Sequence, residues 1–222
     1  MLPIVPFMKD FLRLPARTTL ACVALLGLGA CDADTQAAPY VAPAPGTVYD
    51  YGQFTNTITS SDGWRVRFSD NQGRQAERVG LFLTGDLEEP LQVDAAALDS
   101  LWPLQPGREA AFDARRGPEV WRWELRVLEG EEITVPAGTF QTFIVQGVQT
   151  PELVRSPETS ATVLHAWWYA PAINSVVRFR TTYLTGPAQG RVVEGELRGI
   201  TPGSSAGPPP PDAAAPARPA GS

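Results

Sequence analysis

The sequence predicts an all-β domain, either a single antiparallel β-sandwich or an open, strongly curved β-barrel, carrying one short helix. Apolar and polar residues alternate with period two in four segments, turn signals separate those segments at short intervals, and a single stretch near residue 95 breaks the alternation with helix signals. Short strands with turns between them are the pattern of antiparallel sheets.

The four clear strands can be read residue by residue. Trp64, Val66 and Phe68 oppose Arg65 and Arg67, and Trp121, Trp123, Leu125 and Val127 oppose Arg122, Glu124 and Arg126. Val177, Phe179, Thr181 and Tyr183 oppose Arg178, Arg180 and Thr182, while Val193 and Leu197 oppose Glu194, Glu196 and Arg198. Such segments bury one face and wet the other. Weaker alternation predicts strands over 47–54, 74–84, 108–114, 140–148 and 162–169, with Ser69-Asp70-Asn71-Gln72-Gly73 and Thr185-Gly186-Pro187 as turns.

The helix signal is local. Asp94 is a suitable N-cap for Ala95-Ala96-Ala97-Leu98, Val93 and Leu98 occupy the two positions of a hydrophobic staple, and Pro103 forbids continuation past Trp102. In a curved sheet such a helix is expected to cover apolar side chains at an open end. Val135-Pro136-Ala137-Gly138-Thr139-Phe140 predicts a hairpin, because proline presets φ in the turn and Gly138 tolerates the positive φ that a type I turn with a G1 bulge requires.

This hairpin, together with Trp167-Trp168-Tyr169-Ala170-Pro171, resembles a group of bacterial envelope proteins of unknown function in which a VPAGTF turn is followed, after one or two strands, by a WYAP or WYDP segment. Leu101-Trp102-Pro103-Leu104-Gln105-Pro106-Gly107 is a weaker match upstream. The resemblance implies a β-rich fold and brings no catalytic residue. A glycine-containing turn commonly follows WYAP in that group, whereas here the residues are Ala172-Ile173-Asn174, and Asn174 is the best non-glycine substitute where φ must be positive.

The N-terminus supplies an address. Lys9, Arg13 and Arg17 precede an apolar run from Leu20 that closes on Leu28-Gly29-Ala30-Cys31, which resembles a bacterial lipoprotein export signal: a positive region, a short apolar core and small residues before the cut. In such signals the cysteine receives a diacylglycerol thioether and becomes the first residue. Residues 1–30 are then the signal peptide, 31–45 an Ala/Pro-rich tether, 46–200 the β-rich domain and 201–222 a Pro/Ala/Gly-rich tail without a core of its own. The implied setting is the cell envelope, with the protein facing the periplasm or the exterior and its partner a membrane through acylated Cys31.

Composition narrows the chemistry. The full chain has 18 Lys and Arg against 24 Asp and Glu; loss of Lys9, Arg13, Arg17 and Asp10 leaves 15 against 23, a net charge of −8, which argues against a nucleic-acid partner. Lys9 is the only lysine and His165 the only histidine. With Cys31 acylated, the mature chain offers no amine side chain and no free thiol for covalent catalysis, and no His/Cys set for zinc within one copy. No cofactor is expected.

His165 alternates with Val163, Trp167 and Tyr169 and reads as a packed or rim side chain. The acid pairs Glu88-Glu89 and Glu131-Glu132 read as solvated. The arginines of the polar strand faces read as cross-strand ion-pair partners before they read as a platform for phosphate-bearing lipid. Trp121 and Trp123 share one strand face and are the candidate ligand-binding residues, with core packing as the competing role. The expected function is a non-enzymatic binding or assembly module anchored in the envelope; the alternative is a carrier that encloses a lipid or other hydrophobic ligand.

Two or three acyl chains, at about 0.8 kcal/mol per buried methylene, hold a protein on a membrane stably. Cys31→Ala is therefore expected to yield an unanchored or unprocessed protein. Fractionation and labelled fatty-acid incorporation check this: a variant that sediments with membranes like wild type, beside a wild type that takes up no label, contradicts the assignment.

Overall fold

The computed structural model describes residues 37–155 and 160–203; the predicted signal peptide, Cys31 and the tail from 204 lie outside the described residues. In chain order the strands are β1 (Val48–Asp50), β2 (Thr55–Asp62), β3 (Arg65–Asp70), β4 (Gln75–Val79) and β5 (Leu83–Asp86). The helix α1 (Ala95–Leu101) follows, then β6 (Glu109–Arg116), β7 (Glu119–Val135), β8 (Gly138–Leu153), β9 (Val163–Ala170), β10 (Ser175–Tyr183), β11 (Val192–Glu196) and β12 (Gly199–Thr201). They form two six-stranded sheets, β12-β1-β2-β3-β4-β5 and β11-β10-β9-β8-β7-β6, with every neighbouring pair antiparallel. The sheets do not close into a barrel, so the sandwich-like arrangement is the one adopted.

Each segment predicted as a strand contributes at least one, but the single strand predicted over 74–84 is broken at 80–82, where Gly80 and Leu81 take positive φ, into β4 and the start of β5. Two strands lack the alternation that would have revealed them. In β2, Thr-Asn-Thr-Ile-Thr-Ser-Ser-Asp resembles a turn, yet Asn56 and Ile58 are buried on its inner face. β12 is only three residues long and is fixed by its pairing with β1. The strand read over 121–127 extends to Val135 because the register slips between Leu128 and Glu131. Gly130 permits this slip: a Cβ there would stand 2.2 Å from the Thr142 carbonyl oxygen.

Local signals act as their chemistry predicts. The Asp94 carboxylate accepts from the Ala96 N–H at 3.0 Å and starts α1, which buries Leu98 and Leu101. Val135 pairs with Gly138 across Pro136-Ala137, and Gly138 takes φ +137°. Asn174 adopts the left-handed conformation (φ 50°, ψ 40°) after a single 3₁₀ turn over Pro171–Ile173. The stretch before residue 46, expected to be a loose tether, lies on the domain from Ala38 onward. Ala38 and Leu104 exchange two backbone hydrogen bonds at 2.9 and 2.8 Å, and the Tyr40 ring packs on Trp64 and Trp102 with centroids 4.4 and 5.2 Å away. One aromatic ring supplies apolar area that a count of alanine and proline overlooks.

The sheets are joined at both edges. Between β11 and β12 the crossing is only Leu197 and Arg198: Leu197 N–H donates to Val177 O (2.8 Å), its carbonyl accepts from Ala137 N–H (3.1 Å), and Arg198 N–H donates to Asp50 O (2.7 Å). At the other edge Gln92, after β5, exchanges backbone bonds with Arg115 of β6 at 2.8 and 2.9 Å. Between the sheets, the Tyr49 and Tyr51 hydroxyls donate to the carbonyls of Ile173 (3.0 Å) and Val176 (2.7 Å).

The outer faces carry the arginines. Arg122, Arg126, Arg178 and Arg180 pair across strands with Asp113, Glu109, Glu196 and Glu194 at 2.7–3.3 Å, so the cross-strand reading holds and a lipid-phosphate platform finds no support there. Exposed pairs of this kind contribute about 0–1 kcal/mol each. Arg65 is different. It pairs with Glu77, which is buried under the chain at Leu91, and its second nitrogen donates to the Leu91 carbonyl at 2.8 Å.

Gly138→Val is expected to lower stability by about 1–3 kcal/mol, because a β-branched residue resists positive φ. Space is not the obstacle, since a Cβ there meets only the Phe140 ring at 3.7 Å. Thermal or urea melts check the value, and an unchanged midpoint contradicts the assigned turn.

Candidate functional site

Because opposed residues in a ladder share a face, the pairings define what points between the sheets. On the second sheet one row runs Phe112, Trp123, Gln149, Val163, and the next contains Leu125, Gly147, His165, Thr181 and Val193. On the first sheet Asn56, Phe68, Ala76, Arg78, Thr84 and Asp86 point toward them. Over part of this interface the sheets do not meet. They leave a cleft of about 740 Å³ whose walls include Phe68, Phe82, Trp121, Trp123, Trp167 and Phe179.

The wall on the second sheet is an aromatic pile. Trp123 lies 5.1 Å from His165 at 26° between planes, His165 lies 5.0 Å from Trp167 at 2°, and Trp167 continues to Phe82 at 5.3 Å. Two glycines make room for it. A Cβ on Gly147 would stand 2.8 Å from both Leu125 and the Trp167 ring, and one on Gly195 would stand 2.7 Å from the Phe179 ring. The pile ends on α1's side of the interior, where Trp102 packs against Phe82 and Tyr169.

Trp121 and Trp123, the residues singled out from sequence, are both in this wall. They are 4% and 6% exposed, so each also belongs to the core. Cys31 lies outside the described residues. His165, read as packed or at a rim, is half-buried within the wall. Its Nδ1 lies 3.1 Å from Thr181 Oγ1 and its Nε2 3.4 Å from Gln149 Oε1. Burial between indoles pushes its pKa down to about 4. A hydroxyl, an imidazole and an amide in line have the outline of a nucleophile relay, but an imidazole so weakly basic holds little of a proton taken from threonine near neutral pH.

Sequence reasoning did not find Phe82, Trp167, Phe179, Asn56 or Arg78 as wall residues, because only strand order brings them beside Trp123. The mixed period of Gln75-Ala76-Glu77-Arg78-Val79 is the one local hint. Both faces of that strand are covered, one by Leu91 and the other by the cleft. Among the described residues no group of three His, Cys, Asp or Glu is placed to hold a metal ion.

Fold and site together define a sandwich-like β domain with an aromatic cleft between its sheets. No family model matches the chain, and no curated protein does. Among solved structures it is similar to an exported protein with a YmcC-like fold from Bacteroides fragilis (14% identity, covering 74% of this chain and 99% of that one, TM-score 0.40). It is similar also to a lipoprotein from Parabacteroides distasonis (13%, 74% and 99%, TM-score 0.40). A third is the lipoprotein YmcC from Escherichia coli (12%, 70% and 81%, TM-score 0.41).

Since the folded pKa of His165 lies below its ordinary 6.5, the unfolded chain binds the extra proton between those values. Its effect is absent above pH 6.5, grows as pH falls toward 4 and is constant below, reaching of order 3 kcal/mol of lost stability. His165→Gln is expected to remove this component. Melts of both proteins from pH 7.5 to 4 test it, and parallel profiles would contradict a buried neutral imidazole.

Proposed function

We propose that this chain is a lipid-anchored protein of the bacterial envelope whose β domain binds, without turning over, a ligand with an apolar body in the cleft between its sheets. The anchorage rests on Leu28-Gly29-Ala30-Cys31 and its basic, apolar flank. The binding role rests on one observation: an aromatic-walled cleft of about 740 Å³, within the about 300–1,000 Å³ range of small-molecule sites. Stacked rings are rigid and cost little entropy to order, which favours apolar contact.

Of the two readings open from sequence, a binding or assembly module and a carrier of a lipid or other hydrophobic ligand, the cleft favours the carrier. The anchor and the cleft have separate tasks. The acyl chains hold the protein at a membrane, and the sandwich presents its interior to whatever molecule passes there.

Native mass spectrometry of the Cys31→Ala chain purified from an envelope extract is expected to show a small molecule retained by the fold. Trp123→Ala is expected to lose that mass at a stability cost of about 3–5 kcal/mol, because the indole is 6% exposed and stacked on His165. An empty wild-type cleft would overturn the proposal and leave an assembly module.

A further inference from the structure

Arg78 stands apart from the other charged residues of the cleft. It points inward from β4, opposite Val66 and Thr84, and it also borders a recess of about 10 Å³ formed with Tyr49, Ile58 and Val66. Ile58 and Val66 are buried and Arg78 is half-buried, lining both this recess and the cleft. Its protein contacts are few. Its plane lies 4.8 Å over the Phe68 ring, and the Asn56 side-chain oxygen accepts from one of its nitrogens at 2.6 Å in the amide orientation that also lets the Asn56 nitrogen reach Thr55 O.

No carboxylate among the described residues pairs with it. The two acids on the same inner face are already engaged. Asp70 holds Arg74 at 2.7 Å and accepts from two backbone N–H groups, and Asp86 accepts from the Glu88 N–H at 2.9 Å. Guanidinium carries five donors in a planar fork; Arg78 lines the cleft, and among the described residues Asn56 is the one side chain whose oxygen accepts from it. Withdrawing a cation from water is costly unless an anion meets it. Asn56, buried at the second position of β2, holds one of the guanidinium nitrogens.

We infer that Arg78, oriented by Asn56, is the anion-recognition point of the cleft, and that the ligand is a single-chain amphipath whose carboxylate or phosphate monoester head meets Arg78 while its apolar body lies along the aromatic wall. This rests on the cleft-binding reading above and adds the charge of the ligand to it. The planar fork matches either head by paired hydrogen bonds. A neutral head would leave the guanidinium unmatched and gain only the apolar contact.

The test is calorimetric titration of the Cys31→Ala chain at neutral pH with dodecanoate, dodecyl phosphate and dodecanol, repeated with Arg78→Met and Arg78→Lys in the same background. Both anions are expected to bind at least about tenfold tighter than dodecanol, and Arg78→Met is expected to erase that difference. Arg78→Lys should restore part of it. The ratio of dodecanoate to dodecyl phosphate affinity decides which head the cleft is built for. Dodecanol binding as tightly as both anions overturns the inference while the cleft reading survives, and so does an anion preference that persists in a folded Arg78→Met. Should Arg78→Met fail to fold, the comparison of the three probes on wild type and Arg78→Lys decides alone. Absence of binding by all three probes defeats this inference, and the cleft reading falls with it only if the native spectrum is also empty.

Discussion

The spacing of the two sheets depends on a crossing of two residues. From Glu196 to Gly199 the chain takes three steps, about 10 Å at full extension, which is the spacing at which sheets pack face to face. Leu197 is fully buried and uses both of its backbone groups on the second sheet, while Arg198 bonds back to the first. The opposite edge is held by the exchange between Gln92 and Arg115. Pinned at both edges, the sheets can neither splay apart nor slide together. A void between them therefore persists although its walls are aromatic and would gain by collapse.

Within that frame, small residues decide what the large ones can do. Gly147 and Gly195 sit on the inner face of a sheet where β-branched residues would add propensity, and the space they vacate is filled by Trp167 and Phe179. The indoles consequently stand against His165 instead of spreading over the sheet. The second sheet's wall carries Trp121, Trp123, Trp167 and Phe179, and the first sheet sets Asn56 and Arg78 beside Phe68. A molecule lying between them meets apolar rings on both sides and a fixed positive charge on one.

The strands with strict alternation, the α1 cap at Asp94, the Gly138 turn and the left-handed Asn174 were legible because each depends on residues close in sequence. Strand β2 was not, since Thr, Ser and Asn favour turns locally and only the neighbouring strands β1 and β3 hold them extended. The cleft was half legible. Trp121 and Trp123 declared a shared face by spacing alone, but whether that face met another sheet or open space depends on strand order, which no local pattern encodes. Arg78 was hidden for a related reason. An arginine in an alternating segment ordinarily looks outward, and here Leu91 covers the outer face, so that Glu77 is buried there and Arg78 lies half-buried on the cleft side of the same strand.

Strand β10 is irregular between Val176 and Arg178, where its register against β9 shifts by one residue. That irregularity lies beside Val176, whose carbonyl receives the Tyr51 hydroxyl of the first sheet. A protein engineer who straightened β10 for ideal pairing would recover a ladder bond and disturb the acceptor that ties one sheet to the other. The redesigned chain would hold a better sheet and a poorer sandwich.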